Sequence, residues 1–453
     1  MKIKKYRSST ISLSSENFKF LTDPWLVDGA YYGSWFHLKK FDLEKNLSEI
    51  NSHNAIYISH IHPDHFCEKT LKLIDKSIPV YIHKFNSQSL KRRLINLGFK
   101  VHELEHGKKN KLSDNVYLSI YAADDCNPEL CFKHFDCRIG ESKNLKSTLQ
   151  IDTISVLEID SYIIVNVNDS PYDLSKSVLK KIKNSFKKID FLLTGYNGAG
   201  PYPQCFFETN DKKILEKTHE KKMHFLGSAL NYLKALKPAE YSLFAGEYIL
   251  GGKLFNLNKY IGNESSNNAY SYIDKELDRL NLTNEISSLN LIDEKVFYIG
   301  KNETKKYKSN MNDNSQDENL RNDIKGHKFD YELQNSPSPE EIYEMSKKAF
   351  ERLQNFLISN KIKIKSDIYI KFDKRLLHLD INKKIINLLD EGSSIESKKF
   401  LEIKLDSRLF KNLLLGPKYA VWNNAEIGSH LKFKRVPDEY ERSLFYSLNY
   451  FFV

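Results

Sequence analysis

Residues 55–65 read AIYISHIHPDH, an apolar run that ends in three histidines and one aspartate. The first four residues have the composition of a buried strand, and the Pro-Asp pair marks a turn. Because side chains two apart in an extended segment point the same way, His60 and His62 can bind one metal ion. Asp64 and His65, at the turn into the following helix, face the same cavity and can hold a second ion. The stretch therefore predicts a strand–turn–helix unit that carries a metal site.

The ligand types in this stretch limit the chemistry. Imidazole nitrogen and carboxylate oxygen suit zinc, iron or manganese, and three protein ligands leave a position open for water. Such an ion converts bound water into hydroxide near neutral pH, and two ions can also bind dioxygen or clamp an anionic substrate. A chance cluster is the alternative, but three of the 14 histidines fall within six residues, which is improbable at random. We predict one or two divalent metal ions, with Asp64 orienting the nucleophile and accepting its proton.

The overall composition excludes several classes of protein. The 453 residues include 69 Lys+Arg and 59 Asp+Glu, a net charge of +10. The positive residues are scattered, whereas nucleic-acid binding usually needs concentrated positive charge. Five cysteines exclude a disulfide scaffold and indicate a reducing compartment. Since no apolar run is long enough for a membrane span or a signal peptide, we predict a cytoplasmic protein without membrane or nucleic-acid partners.

Short apolar runs alternate with helix-like stretches from about residue 10 to residue 300, which predicts an α/β layered domain. The predicted strands are Ala55–Ser59, Val80–His83, Val116–Tyr121, Ile154–Ile159, Tyr162–Val167, Phe191–Thr194 and Tyr241–Ala245. The predicted helices are Phe66–Ile74, Asn86–Leu97, Leu174–Phe186 and Lys222–Leu236.

The last third of the chain differs in composition. Residues 301–336 are almost free of aliphatic side chains, which predicts a polar linker or an exposed excursion. Ser338, Pro339 and Glu341 then have the pattern of a capped helix start. We predict a smaller α+β domain over residues 337–453. Its predicted strands are Asp367–Phe372, Leu376–Asp380 and Phe400–Leu405, and its later helices are Ser407–Leu415 and Glu439–Phe452.

Two stretches near the carboxyl terminus invite specific interpretations. Polar and aromatic side chains cluster within a few residues, and they could bind a polar ligand or dock onto the cleft of the first domain. These residues are Trp422, Asn423, Asn424, Glu426 and His430. The closing segment 443–453, SLFYSLNYFFV, is too apolar to lie exposed. It is expected to pack against the first domain or a second subunit, which leaves a homo-oligomer open.

HxHxDH after an apolar strand is the signature of the metallo-β-lactamase superfamily, and residues 59–65 match it in full. Residues 22–26, TDPWL, resemble an early turn of that fold, which implies that Asp23 lies behind the metal site. Residues 166–169, NVND, end a strand where the superfamily places a metal-bridging aspartate, here Asp169. The resemblance implies an αββα sandwich over residues 1–300.

Several segments narrow the resemblance further. DPWL, SHIHPDH, NVND, the stretch from Pro238 to Gly246 and GPKYAVWNNAEIGSH (416–430) resemble CMP-N-acetylneuraminate hydroxylase and its bacterial relatives. This group implies a small anionic substrate, namely a sugar, an amino sugar or a nucleotide-activated sugar. It also implies a Rieske iron–sulfur domain, but no Cys-x-His pair is present here. An oxygenase of this type would therefore need a separate protein as electron donor.

The sequence departs from the superfamily pattern at two positions. A third motif histidine is expected near the end of strand Val116–Ala123, where Asp124 and Asp125 stand instead. The last motif histidine is expected after Tyr241–Ala245, where Gly246 and Glu247 follow. Carboxylates in place of imidazoles would favour iron or manganese over zinc. The implied metal ligands are His60, His62, Asp64, His65 and Asp169, with Asp124 or Asp125 replacing the missing histidine.

Further residues are candidates for contact with substrate. Trp35 belongs to an aromatic patch that is interpreted either as core or as a substrate lid. Tyr196 and Asn197 lie in the glycine-rich loop 195–203, interpreted either as a structural loop or as the rim of the active site. Glu247 is a further candidate on the substrate side.

Other potential ligands are interpreted as structural. Cys126, Cys131 and Cys137 do not form short metal-binding pairs, so they are predicted to be core or loop thiols rather than ligands. His83 ends a predicted strand and is expected to fill the edge of a sheet.

Three functions follow from these residues. A metal-dependent hydrolase, in which metal-bound hydroxide attacks a sugar-type or nucleotide-sugar-type substrate, is the first hypothesis. A di-iron oxygenase with external electron donors is the second. A binding or scaffold protein with a vestigial metal site is the third, and it is favoured by the two missing histidines but not by the intact HxHxDH motif.

Overall fold

Two seven-stranded mixed β-sheets form the centre of the first 300 residues in the computed structural model, which describes residues 1–135, 148, 150–206, 210–300 and 321–453. In spatial order the first sheet contains Val296–Tyr298, Lys2–Arg7, Thr10–Ser14, Lys19–Thr22, Ala55–Tyr57, Val80–His83 and Val101–Leu104. The second sheet contains Ser287–Ser288, Glu240–Phe244, Phe191–Gly195, Tyr162–Asn166, Thr153–Ile159, Val116–Ala122 and Asn110–Ser113.

Apolar side chains from both sheets meet in a common core, where residues such as Leu13 and Phe20 join Leu118 and Leu193. Helices Leu43–Ile50, Glu68–Leu71 and Ser89–Asn96 cover the outer face of the first sheet. Helices Tyr172–Ser185, Asp211–Leu236 and Ser266–Arg279 cover the outer face of the second sheet. The predicted αββα sandwich is therefore confirmed.

Shorter elements complete this domain. They are the turn Ala30–Gly33, the helix Pro128–Phe135, the 3-10 helix Gly252–Tyr260 and a two-stranded ladder of Trp35–Phe36 with Ile249–Leu250.

The strand directions determine where loops from the two sheets meet. Lys19–Thr22, Ala55–Tyr57 and Val80–His83 run parallel in the first sheet. Tyr162–Asn166 and Phe191–Gly195 run parallel in the second. The carboxyl ends of parallel strands are the usual place for ligand sites in α/β sheets. The HxHxDH motif follows the end of one such strand, and Asp169 follows the end of another.

A five-stranded sheet forms the C-terminal domain, with spatial order Ile385–Asp390, Arg375–Asp380, Asp367–Phe372, Phe400–Lys404 and Lys432–Val436. Its helices are Pro339–Ser359, Ser407–Leu414, Trp422–Ile427 and Arg442–Leu448. Ser338 caps the first of these, because its Oγ accepts the N–H of Glu341 at 3.1 Å. The carboxylate of Glu341 pairs with Lys411 at 2.7 Å instead of returning to Ser338, so only half of the predicted capping box is seen.

The core of the C-terminal domain continues into the first domain. One apolar cluster contains Trp25, Trp35 and Tyr248 together with C-terminal residues such as Phe410 and Trp422. The closing segment contributes Leu444, Phe445, Leu448 and Phe451 to the same cluster. The apolar carboxyl terminus is thus buried within this chain.

Residues 321–336 differ from the exposed segment that their composition predicts. They contain 3-10 helices at Asn322–Ile324 and Asp330–Leu333. Ile324, Phe329 and Tyr331 are buried, with Phe329 0% and Tyr331 2% exposed, whereas Leu333 faces solvent. Average polarity concealed these anchors because the intervening residues face solvent. Residues 301–320 of the predicted linker lie outside the described residues, and so does Cys137.

Several strands were not foreseen. Lys2–Arg7 carries four basic residues, and two of them, Lys5 and Arg7, are buried, so the charge of the segment conceals a strand. Ile385–Asp390 and Lys432–Val436 in the C-terminal sheet were missed as well. Within the described part of the chain, no helix combines the length and the apolar character that crossing a membrane requires.

Replacing Phe329 by Ala tests whether segment 321–336 is packed. The buried ring leaves a cavity, so we expect the free energy of unfolding to fall by about 3–5 kcal/mol. Leu333→Ala is the matched control, since Leu333 is 75% exposed and should change stability by less than about 0.5 kcal/mol. Urea unfolding monitored by circular dichroism measures both, and equal effects of the two substitutions would contradict the packed segment.

Candidate metal centre

Imidazole and carboxylate groups of the HxHxDH motif form two adjacent sets of donor atoms. His60 Nε2 lies 3.0 Å from His62 Nδ1. On the other side, His65 Nε2 lies 3.6 Å from Asp64 Oδ2 and 3.4 Å from Asp169 Oδ2. One ligand atom each from His60, His65 and Asp169 falls within 4.8 Å of the other two. The structure therefore brings together all five residues that the resemblance implied as ligands.

The centre is deep but open on one side. His60 and His65 are 0% and 1% exposed. The side chain of Asp169 is 35% exposed. The centre is therefore accessible from the side of Asp169, while His60 and His65 are closed to bulk water.

Asp23 lies directly behind the histidines and is itself fully buried. Its carboxylate accepts the backbone N–H of Ser59 at 2.7 Å and the Ser59 hydroxyl at 2.9 Å. It also lies 3.0 Å from Nδ1 of His65. A carboxylate in this position directs the other ring nitrogen of His65 toward a metal. The motif thus depends on the turn at residues 22–26, as the resemblance implied.

The pKa values of the three histidines shift in different directions: those of His60 and His62 are lowered, and that of His65 is raised. Burial lowers the pKa of His60, and the neighbouring His65 and His62 lower it further. Burial likewise lowers the pKa of His62. Burial acts in the same direction on His65, but the carboxylates of Asp169, Asp64 and Asp23 outweigh it and raise its pKa. Near neutral pH the first two imidazoles therefore have lone pairs available for a metal.

Two further observations show that the site fits a cation. Three carboxylates converge on His65, so a positive charge is required there, and a metal ion can replace the proton. The hydroxyl of Tyr248 is buried and has no hydrogen-bond partner, and the charge of Asp64 contributes to the raised pKa of that phenol. Unsatisfied buried polar atoms of this kind indicate a place for an ion or its water. The residues fit one or two divalent metal ions.

Asp152 is a member of the site that sequence reasoning missed. Its carboxylate lies 3.9 Å from His60 Nε2. Burial, followed by the charge of Asp169, raises its pKa to about 7. The carbonyl of Asp152 accepts the N–H of Ala123 at 3.0 Å, so antiparallel pairing places it beside the end of strand Val116–Ala122. A carboxylate beside His60 thus comes from the start of the neighbouring strand, and no sequence motif marks it.

The replacement of the third motif histidine by Asp124 or Asp125 stays a prediction, and Asp152 is a further candidate beside it. An Asp124 oxygen accepts the N–H of Cys126 at 3.1 Å. Asp125 is bound by His106 at 2.9 Å and by Lys181 at 2.6 Å. Both residues lie in the turn that leaves the strand, where local backbone and ion-pair contacts hold their side chains.

The predicted substrate residues are not gathered around the centre as a group. Tyr196 is 1% exposed, and its hydroxyl donates to Glu247 at 2.7 Å. Glu247 also pairs with Lys5 at 3.2 Å. Asn197 exchanges hydrogen bonds with the backbone of Glu264. These contacts assign Tyr196, Asn197 and Glu247 to the framework of the first domain.

Trp35 is the one predicted substrate residue in the wall behind the motif. Its ring stacks on Tyr248 with centroids 3.4 Å apart, and it lies 4.6 Å from the ring of Tyr31. Because Trp35 is 1% exposed, it supports the site from within the core.

A second group of possible ligands comprises His83, His106 and Cys126. His106 Nδ1 accepts the N–H of Ala122 at 3.1 Å, and Nε2 lies 2.9 Å from Asp125. Neither nitrogen of His106 therefore has a lone pair free for a metal. This agrees with the interpretation of Cys126 as a structural thiol.

Asp152→Asn tests whether Asp152 is a ligand. Metal binding must displace the proton that the raised pKa keeps on Asp152 and the proton that the raised pKa keeps on His65, so wild-type affinity should increase with pH. The asparagine variant should lose the part of this increase that is due to Asp152, keep the part that is due to His65, and bind about 10- to 100-fold more weakly, the range known for partners of ligands. Zn²⁺ titration at several pH values measures both effects. Asp125→Asn is the matched control, and a larger loss in that variant would favour Asp125 over Asp152 as the ligand.

Comparisons with known proteins find relatives for part of the chain. No protein-family model matches the chain. It is 22% identical over 251 residues to the cytidine monophosphate-N-acetylneuraminic acid hydroxylase of Danio rerio, covering 52% of this chain and 36% of that protein. It is 24% identical over 249 residues to the same hydroxylase of Xenopus laevis, covering 53% and 37%. The chain thus spans little more than a third of the length of these curated relatives.

Among solved structures, the isothiocyanate hydrolase from Delia radicum gut bacteria aligns with 66% of this chain and 99% of its own, at 16% identity and a TM-score of 0.43. The predicted resemblance is confirmed in sequence, since the chain is similar to the CMP-N-acetylneuraminic acid hydroxylases.

Proposed function

We propose that the protein is a metal-dependent hydrolase of the metallo-β-lactamase superfamily. The observation that carries this proposal is the pair of facing donor sets, His60, His62 and Asp152 on one side and Asp64, His65 and Asp169 on the other. The motif residues and Asp169 follow the carboxyl ends of parallel strands, Asp152 precedes the strand Thr153–Ile159, and the opening at Asp169 gives a substrate access. A vestigial site would not be expected to keep six potential ligands together.

Divalent ions held by these residues would lower the pKa of a bound water and polarise the bond to be broken. The chain's own contribution is centred on Asp64. Its Oδ1 accepts the hydroxyl of Tyr31 at 2.6 Å, which leaves Oδ2 directed toward His65. Burial and the charge of Asp64 raise the pKa of Tyr31, so this hydroxyl remains a donor. Asp64 is thereby held in one orientation, in which it can hold the attacking water and accept its proton.

For the substrate we propose a small anionic molecule of the sugar or nucleotide-sugar class. The similarity to the CMP-N-acetylneuraminic acid hydroxylases supports this class. A centre with two divalent ions would also attract an anion, and the net charge of +10 is favourable. We propose a cytoplasmic location for the same chemistry.

A di-iron oxygenase is the second candidate, and the composition of the donor set favours it. Three carboxylates accompany three imidazoles, so the centre is richer in oxygen ligands than the histidine-rich pattern of the superfamily. Oxygen ligands favour iron or manganese over zinc. Two of the similar curated proteins are hydroxylases. This activity would require a source of electrons.

Replacing both His60 and His62 by Ala tests the metal centre itself. We expect the purified wild type to contain one or two equivalents of zinc, iron or manganese, and the double variant to lose at least one, because the first donor set loses two of its three ligands. Elemental analysis measures the content. His102→Ala is the control, since His102 stacks on Tyr81 away from the centre. Unchanged metal content in the double variant would refute the site.

Isotope labelling separates the two activities. The metal-loaded enzyme is incubated with a panel of nucleotide sugars in ¹⁸O-water, with and without dioxygen and a chemical reductant. A hydrolase incorporates the label from water and works without dioxygen. Products that take their oxygen from dioxygen, and form only with reductant, would overturn the hydrolase in favour of the oxygenase.

A further inference from the structure

A side chain of the C-terminal domain contacts the metal motif directly. Asn423, in the helix Trp422–Ile427, places its Oδ1 3.1 Å from Nε2 of His62. The other ring nitrogen of His62, Nδ1, faces His60. The amide oxygen can only accept a hydrogen bond, so it stabilises the tautomer in which Nε2 carries the hydrogen. That tautomer leaves the lone pair on Nδ1, the nitrogen that faces the metal position.

Asn423 is itself held in place by backbone contacts. Its N–H donates to Oδ1 of Asn449 at 3.2 Å. Val421, two residues earlier, donates its N–H to the hydroxyl of Tyr32 at 2.7 Å. That hydroxyl lies 3.3 Å from the carbonyl of Val421, to which it donates. The start of the helix is thus attached to the first domain.

A second connection reaches Asp64. Tyr31 and Tyr32 have φ angles of 51° and 60°, a left-handed conformation that residues with a Cβ rarely adopt. His430 Nε2 lies 2.8 Å from the carbonyl of Tyr31, to which it donates. In this turn the Tyr31 hydroxyl donates to Asp64. The C-terminal domain therefore supports the conformation that aims Tyr31 at a ligand.

The approach of the two domains at this point is close. A Cβ on Gly428 would lie 2.9 Å from Cβ of Tyr31 and 3.0 Å from the carbonyl oxygen of Asn424. Only a residue without a side chain fits there. The contact between the helix end and the Tyr31–Tyr32 turn is consequently tight enough to fix the position of Asn423.

We infer that the C-terminal domain completes the metal centre, with Asn423 as a positioning residue that holds His62 in its metal-binding tautomer and orientation. This inference rests on the metal centre of the proposed function and assigns the C-terminal domain a role in it. The contacts of His430 and Tyr32 serve the same end by holding the turn that orients Asp64. Outer partners of metal ligands tune affinity in this way.

Zn²⁺ titration of the full chain tests the inference. Asn423→Ala should weaken Zn²⁺ binding by about 10- to 100-fold, because His62 loses its outer partner. Asn423→Asp should recover wild-type affinity or exceed it, since a carboxylate also accepts from Nε2. Asn412→Ala is the matched control, because the amide of Asn412 donates to Gln334 at the surface, and the affinity of this variant should equal that of the wild type.

Urea unfolding of the metal-free variants accompanies the titration. Similar unfolding midpoints for Asn423→Ala and Asn423→Asp, with different Zn²⁺ affinities, are expected of a positioning residue. Wild-type affinity in Asn423→Ala, or no recovery in Asn423→Asp, would overturn the positioning role and leave the metal centre standing. A wild-type chain that binds no Zn²⁺, Fe²⁺ or Mn²⁺ would overturn the centre and the inference together.

Discussion

The buried carboxylate of Asp23 is the constraint around which the centre is arranged. A charge without exposure is costly unless hydrogen bonds and an opposite charge compensate it. Ser59 supplies two hydrogen bonds and His65 supplies the positive charge. These contacts attach the turn after one strand to the loop after its neighbour. The rings of the motif consequently have fixed positions before any metal binds.

The two domains together enclose the metal centre. The metal motif emerges at the strand ends of the sandwich, and the side facing the C-terminal domain is closed by Asn423, His430 and the turn at Tyr31. Aromatic side chains make this closure continuous, since Trp35 and Tyr248 belong to the same apolar cluster as Trp422. The C-terminal domain therefore forms part of the wall around the metal centre. The exposed side of Asp169 remains as the route to solvent.

Predictions from the sequence succeeded where the local pattern of apolar residues matches their burial in the tertiary structure. Strands such as Val80–His83 were located because uniformly apolar runs must be buried on both faces. The strand Lys2–Arg7 was missed because Lys5 is buried by pairing with Glu247 and Asp293, residues far away in the chain. The burial of Phe329 and Tyr331 was overlooked for a related reason, since the composition of their segment is mostly polar and conceals two buried aromatic side chains. Charge and composition describe a segment, whereas burial depends on its partners.

The sequence by itself determined the strand–turn–helix motif, its histidines and Asp64, because these ligands are neighbours in the chain and their spacing expresses their geometry. Asp23 and Asp169 followed from the resemblance. Only the tertiary structure decided that Asp152 lies beside His60, and that Asn423 reaches His62. Both depend on distances between segments brought together by strand pairing and domain packing. Such contacts leave no periodicity or spacing in the chain from which they could be inferred.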